Sequence, residues 1–369
     1  FLICQAQKSA HPPNVKRNEI RPSRTAPHPH SRKSYFLPAD RGGKNNVGKT
    51  ALLEAIFTLI GYHNPEVPHK TSLLRGITQF EGDPEGLWGW FFANKDLTRS
   101  IEILAERDDS GPASLQITLR KPTNGQIDLF AKSDVGAQGH GLVSSAPNLV
   151  FRMRLSTADS QDAGVEAKAW IEKDNVSTDS CEPLLGMGLF VTPGGYSIEE
   201  DARRYSKLNE VGRGEEVLAA LQILEPRLRK LEISVNAGKP ILTGDMGMGR
   251  LMPIAYMGQG MEALVSRLLA LLQHPGGVVL IDEFENGLHH SVLKDVWRVI
   301  AEAARRANTQ VFATTHSKEC ILAAHEAMDE VGADDFALRR LERRGDKIVE
   351  VVYEQDVLEA AFEADIEVR

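Results

Sequence analysis

Cysteine is scarce in this chain: among 369 residues only Cys4, Cys181 and Cys320 occur, far apart and with no C-x-x-C spacing. That excludes a disulfide framework and a structural zinc knuckle. Long apolar runs are missing as well. The longest candidate, residues 263–272, carries Ser266 and Arg267 and falls short of the ~20 apolar residues of a membrane span. No 7–15-residue apolar core follows the basic residues near the start, so a secretory signal is not expected, and no repeat of 20–50 residues is present, which excludes a solenoid. The net charge of −8 excludes a uniformly basic surface, so a nucleic-acid face would have to be local. The expectation is a cytoplasmic protein with no membrane partner, built as one large α/β domain or a domain with an inserted subdomain.

Residues 1–41 differ from the rest. They hold six prolines, three histidines and eight Lys/Arg against Glu19 and Asp40, and read as a disordered basic segment, leaving 42–369 as the folded unit. Pro38, Asp40 and Arg41 stand where a buried strand should be, since proline removes a ladder donor and charges do not suit a parallel sheet. The chain also begins with Phe1. The expectation is that this segment is a truncated or out-of-frame version of the natural N-terminal strands, and that the strand leading into Gly43 is missing.

What the chain does have is a complete G-x-x-x-x-G-K-T run, Gly43-Lys44-Asn45-Asn46-Val47-Gly48-Lys49-Thr50. Gly43 and Gly48 permit the backbone angles that ring a triphosphate with N–H groups, Lys49 supplies a point charge, and Thr50 offers a hydroxyl to Mg²⁺. A Gly-rich turn is the plain alternative. Against it, Ala51, Leu52, Ala55, Ile56 and Leu59 form the apolar stripe of a helix to about Ile60, its positive end toward the phosphates.

Further along, 87–92 is apolar enough for a core. Alternating stretches at 100–104, 114–119, 127–130, 149–155, 167–171 and 189–191 read as strands, the first three as an antiparallel meander. A helical pattern runs from Ile198 to about Ile233, with Pro226 able to break it. Met257-Gly258-Gln259-Gly260-Met261 precedes a helix to Gln273. Residues 278–281 read as a buried strand ending in Asp282-Glu283, 291–307 as an amphipathic helix, and 310–314 as a second buried strand before Thr315-His316-Ser317. A βαβ unit of this kind brings the acidic pair and His316 to one carboxyl edge. A hairpin at 338–341 and 348–353 and a short helix close the chain.

An apolar run ending in Asp-Glu suits the strand opposite a phosphate loop: Asp282 in the outer shell of Mg²⁺, Glu283 polarising the attacking water. Alone, Glu283 could be a solvated carboxylate at a strand end; with the phosphate loop the pair becomes specific. His316 reads as a contact to the γ-phosphate that holds the water in line.

Together, Gly43–Thr50, the Met-Gly-Gln-Gly-Met segment, Val278–Glu283 with Glu285-Asn286-Gly287-Leu288-His289, and Thr314–Ser317 resemble in order and spacing the ABC-type ATPase heads of the OLD-like and SMC-like class. Stand-alone prokaryotic AAA-family ATP-binding proteins are the nearest match. The resemblance implies an α/β P-loop NTPase head with a mixed central sheet, the antiparallel meander and an inserted helical subdomain lying within 62–250. It implies ATP and Mg²⁺ as ligands and a homodimer whose two heads sandwich two ATP. Gly258, Gln259 and Gly260 would be the signature read in trans. They match it only in part, because the serine of Leu-Ser-Gly-Gly is absent and backbone N–H groups would replace it. Gln79 is the candidate loop glutamine, and His289 and His290 are taken as dimer-contact residues rather than a metal site. The 369 residues hold no TOPRIM nuclease segment and no long heptad coiled coil.

The implied function is an ATP-driven switch acting on a separately encoded nuclease or other effector, in DNA-related or anti-phage processes. Direct DNA binding is admitted but not required. A slow-turnover ATP-dependent DNA-binding clamp in repair stands beside it. A small-molecule kinase is a third reading, against which Glu283 beside the magnesium aspartate argues.

Overall fold

The runs Val278–Ile281 and Gln310–Thr314 form parallel strands, β11 and β12, in register from Val278 opposite Gln310 to Ile281 opposite Ala313. Their connection is α7 (Leu293–Ala307), whose buried residues Leu293, Val296, Trp297, Ile300, Ala301 and Ala304 recur at helical spacing. Asn308, at φ 52° in the left-handed region, ends the helix. The expected βαβ unit is therefore present. The computed structural model describes residues 2–5, 48–64, 66–77, 83–107, 111–121, 149–157, 165–172, 175–179, 188–193, 197–332, 336–345 and 347–353. The expected strand at 127–130, the closing helix beyond 353, Gln79 and Gly43–Val47 lie outside them.

On the far side of β11 lies β7 (Gly188–Val191), also parallel. Toward the other edge, β13 (Phe336–Arg344) and β14 (Lys347–Tyr353) make the closing hairpin. Between β12 and β13 sits β1 (Leu2–Gln5), antiparallel to both, so the sheet order is β14-β13-β1-β12-β11-β7. This corrects the expectation of a disordered arm for these four residues: Leu2-Ile3-Cys4 precedes the proline-rich part and is a run of strand formers.

Side-chain alternation along β11 divides the core. Leu280 joins Leu52, Leu53 and Phe190 on one face, where α1 (Lys49–Ile60) lies with Phe57 edge-on to Phe190 at 6.0 Å. Val279 and Ile281 face the opposite, larger core, which takes in α6 (Gln259–Gln273), α7 and α8 (Lys318–Glu330). A Cβ at Gly188 would stand 3.2 Å from Ile60 Cγ2, so the close approach of α1 to β7 depends on glycine. After α1, α2 (Val67–Leu74) is tied back by Arg75, which donates two hydrogen bonds to Glu54.

The meander is antiparallel as expected, in chain order β2 (Ile101–Arg107), β3 (Gly111–Arg120), β4 (Val150–Thr157), β5 (Val165–Glu172) and β6 (Asn175–Thr178). Its apolar face packs on α3 (Pro84–Trp88) and Phe92 in a separate core.

The helical run expected from Ile198 to Ile233 is shorter than that. It forms α4 (Ile198–Glu210) and α5 (Gly214–Leu221), and Lys230–Asn236 is instead a strand, β8, paired with β9 (Lys239–Asp245). Pro226 falls in the break, and Ala237 and Gly238, at φ 50° and 78°, close a two-residue hairpin that fixes Asn236 opposite Lys239. Short strand β10 (Leu251–Pro253) completes this third sheet just before α6.

Candidate functional site

Gly48 takes φ 83° and caps α1, its carbonyl accepting the first helical bond from Leu52 N–H at 2.8 Å. A side chain there would be strained. Lys49 and Thr50, the first two residues of the helix, thus leave the glycine pointing toward the ends of β11 and β12. Thr50 Oγ1 donates to Asp282 Oδ2 at 2.8 Å. Lys49 Nζ lies 3.1 Å from His316 Nδ1.

At the end of β11 the chain turns sharply. Asp282 N–H still bonds Val191 O at 3.0 Å, continuing the sheet, but Glu283 adopts φ 48° and Phe284 N–H returns to Thr314 O at 2.9 Å. Thr314, fully buried on β12, holds the corner: its hydroxyl donates to Asp282 Oδ1 and accepts from Glu283 N–H at 3.0 Å. Phe284 is buried and stacks on Trp297 of α7, ring centroids 3.5 Å apart, with the Arg267 guanidinium 5.1 Å from its ring centre. Arg267, itself buried on α6, donates to Asn286 O at 3.0 Å. The loop after the acidic pair is therefore held by the Phe284–Trp297 stack and by Arg267, which meets both the Phe284 ring and the Asn286 carbonyl.

Burial pushes the Glu283 carboxyl up, helped by the charges of Asp282 and Glu285. Burial lowers Lys49 against the pull of Glu285, Asp282 and Glu283. His316 is lowered by the partial burial of its ring and by Lys49. A neutral imidazole facing an ammonium through Nδ1 carries its proton on Nε2, so Lys49 donates.

Of the residues expected from sequence, Lys49, Thr50, Asp282, Glu283 and His316 come together; Gly43 to Val47 lie outside the described residues. Gly258 caps α6 at φ 102°, with Gln259 and Gly260 its first two residues. Of the two glycines only Gly260 comes close to the loop after Glu283: a Cβ there would stand 3.3 Å from Gly287 O, whereas one at Gly258 would meet nothing within 4 Å. His289 accepts from Ser291 N–H and lies against His290, ring centroids 4.1 Å apart; among the described residues no cluster of three His, Cys, Asp or Glu could hold a metal. Thr314 and Glu285 lie within the segments that carry the resemblance, but sequence reasoning gave neither a role, and it read Arg267 only as a charge interrupting an apolar run. Only the Glu285 and Arg267 types hinted at a role, a charge in an otherwise apolar or turn context.

Among the described residues no helix is long and apolar enough to cross a membrane. In sequence, the chain is 21% identical over 312 residues to an "ATP/GTP phosphatase" of Helicobacter pylori, covering 80% of this chain and 82% of that one. Among solved structures it is similar to an Smc head bound to the C-winged helix domain of ScpA, at 14% identity and TM-score 0.42, covering 86% of this chain and 90% of that one. It is also similar to the SMC head domain from Thermotoga maritima, at 13% identity and TM-score 0.34, covering 75% and 88%. A family model described as "AAA domain, putative AbiEii toxin, Type IV TA system" matches residues 43–321, from the first glycine of the phosphate loop to beyond His316. The chain belongs to that AAA-domain family.

Proposed function

We propose that the protein binds ATP with Mg²⁺ and hydrolyses it, and that two copies close head to head around the nucleotide. The observation that carries this reading is the convergence of Lys49, Thr50, Asp282, Glu283 and His316, residues far apart in sequence, on one edge of the central sheet. The donor set suits the metal. Thr50 Oγ1 donates to Asp282 Oδ2 at 2.8 Å, so a hydroxyl and a carboxylate, the hard oxygen donors that Mg²⁺ takes, stand side by side, with Asp282 placed for the outer shell. Thr50 and Asp282 would hold Mg²⁺, which when bound neutralises phosphate charge. Lys49 exchanges His316 for the outer phosphates, and the freed imidazole faces the γ-phosphate. Glu283, its carboxyl raised by burial and by the charges of Asp282 and Glu285, takes the proton of the attacking water.

The partner copy presents Gly258, Gln259 and Gly260 at the N-terminus of its α6, where exposed N–H groups suit an anion. Closure and reopening are the output, read by a separately encoded effector, with a nuclease in DNA-related or anti-phage processes the effector class we favour. The test is Glu283→Gln. Phosphate release should fall by about 10²–10⁴-fold while ATP binding is kept, and light scattering with ATP should report a trapped dimer. An ATP-bound monomer would remove the composite-site model, and full turnover would remove Glu283 as the base.

A further inference from the structure

We infer that Glu285 is a positioning residue for hydrolysis: its carboxylate holds the backbone of His316, and so sets where the imidazole stands relative to Lys49 and the γ-phosphate. The inference rests on the role given above to His316. Three residues separate the end of β12 from the start of α8, and two of them are anchored locally. Thr315 is fully buried, and its hydroxyl accepts from Ser317 N–H at 3.0 Å. Ser317 caps α8, accepting from Cys320 N–H at 3.0 Å. His316, between them, is exposed, and its N–H donates to Glu285 Oε1 at 2.8 Å, across from a different loop.

Glu285 is itself well placed to act as a fixed point. Its carbonyl accepts from Leu288 N–H at 3.0 Å, and the next residue, Asn286, is bonded to buried Arg267 through its carbonyl and to Glu283 O through its N–H. The position of His316 is thereby referred to the same rigid loop that carries Glu283, so the water-activating carboxylate and the phosphate-facing imidazole share one frame. The second oxygen, Oε2, is buried with no hydrogen-bond partner among the described residues. A buried carboxylate oxygen without a donor is costly, and a nearby cation compensates: of the carboxylates around Lys49, Glu285 acts on it most strongly, ahead of Asp282 and Glu283.

Three substitutions separate reach from charge. Glu285→Gln keeps an acceptor oxygen at the right distance without the charge, Glu285→Asp keeps the charge but is one methylene short, and Glu285→Ala keeps neither. In the full chain, steady-state ATPase should show kcat down about tenfold or more for Ala and Asp, with ATP Kd within about twofold, the pattern of an interaction acting in the transition state. Gln should recover most of the loss. In a His316→Ala background, itself impaired, Glu285→Ala should subtract nothing further, because pairs acting through one residue are non-additive. Losses that add in the double variant, a Gln variant as poor as Ala, or a loss confined to ATP Kd would each overturn the inference while leaving the ATPase reading intact. Wild-type turnover by His316→Ala would instead remove the role of His316 and, with it, the inference.

Discussion

At Glu283 the backbone enters the left-handed region, φ 48°, at a residue that is not glycine. Such a conformation costs on the order of 1 kcal/mol and persists because the surroundings fix it; here Thr314 bonds the N–H of Glu283 and the carbonyl side is pinned through Phe284. Motif spacing made Lys49, Thr50, Asp282, Glu283 and His316 legible, because phosphate chemistry demands those side chains in that order. Thr314 and Glu285 were visible as members of those motif segments, but their contacts were not. What each touches depends on where two separate strand ends meet, which no local pattern encodes. A different buried carboxylate gives a pH signature. Asp201 on α4 is 5% exposed, and burial pushes its carboxyl up to about 6 despite Arg204 and Ser266 beside it. A folded pKa above the unfolded value means that the native state binds the proton more tightly. The ionised group therefore costs stability at pH 7, about 3 kcal/mol for a shift of this size, and the cost fades as pH falls through 6 toward 4. Asp201→Asn should raise the thermal midpoint at pH 8, and the advantage should disappear near pH 4. An advantage independent of pH would show that the charge of Asp201 is not its source.

Among the elements, β11, α7 and β12 were readable because each has an unbroken apolar period, and the glycine and proline signals bounding them are strong. The stretch after Pro226 misled because Leu228, Leu231 and Ile233 fit a helical spacing as well as a strand. The Ala237-Gly238 turn decides between them, and it acts from outside the run. Composition hid β1 too, since Leu2-Ile3-Cys4 was averaged with the proline-rich segment behind it. Its place makes it testable. Pairing on both sides, with Ala313 opposite Ile3 on β12 and Leu338 on β13, puts β1 where its loss would leave two unpaired strand edges inside the sheet. Deleting residues 1–6 should lower the thermal midpoint by about 5–10 °C, several kcal/mol at a few degrees each. An unchanged midpoint would mean that β12 and β13 need no strand between them.

At the scale of the whole molecule, the composite-site model makes a claim about α6 that one copy alone cannot show. Gly260 is a poor probe of it, since any side chain there would press on Gly287 O within the same subunit. Gln259 is better: it is exposed at the first turn, where an acidic residue favours the helix dipole and leaves folding intact. Gln259→Glu should keep monomer binding of ATP yet repel the partner's γ-phosphate, with closure and hydrolysis reduced about tenfold or more. Mixing it with Lys49→Ala should restore part of the activity, because one of the two mixed sites is then whole. No recovery, with both variants folded, would count against sites shared between copies. The close seating of the start of α6 on the loop at Gly287, where a Cβ added to Gly260 would stand 3.3 Å from Gly287 O, together with the bond from Arg267 to Asn286, has a kinetic consequence for the proposed dimer. On the proposed function, the surface a copy offers its neighbour and the loop that carries Glu283 are tied to each other within one subunit. In a closed pair, pushing on either moves the other, so the two nucleotides should be spent in step, with a single rate constant for phosphate appearance rather than two.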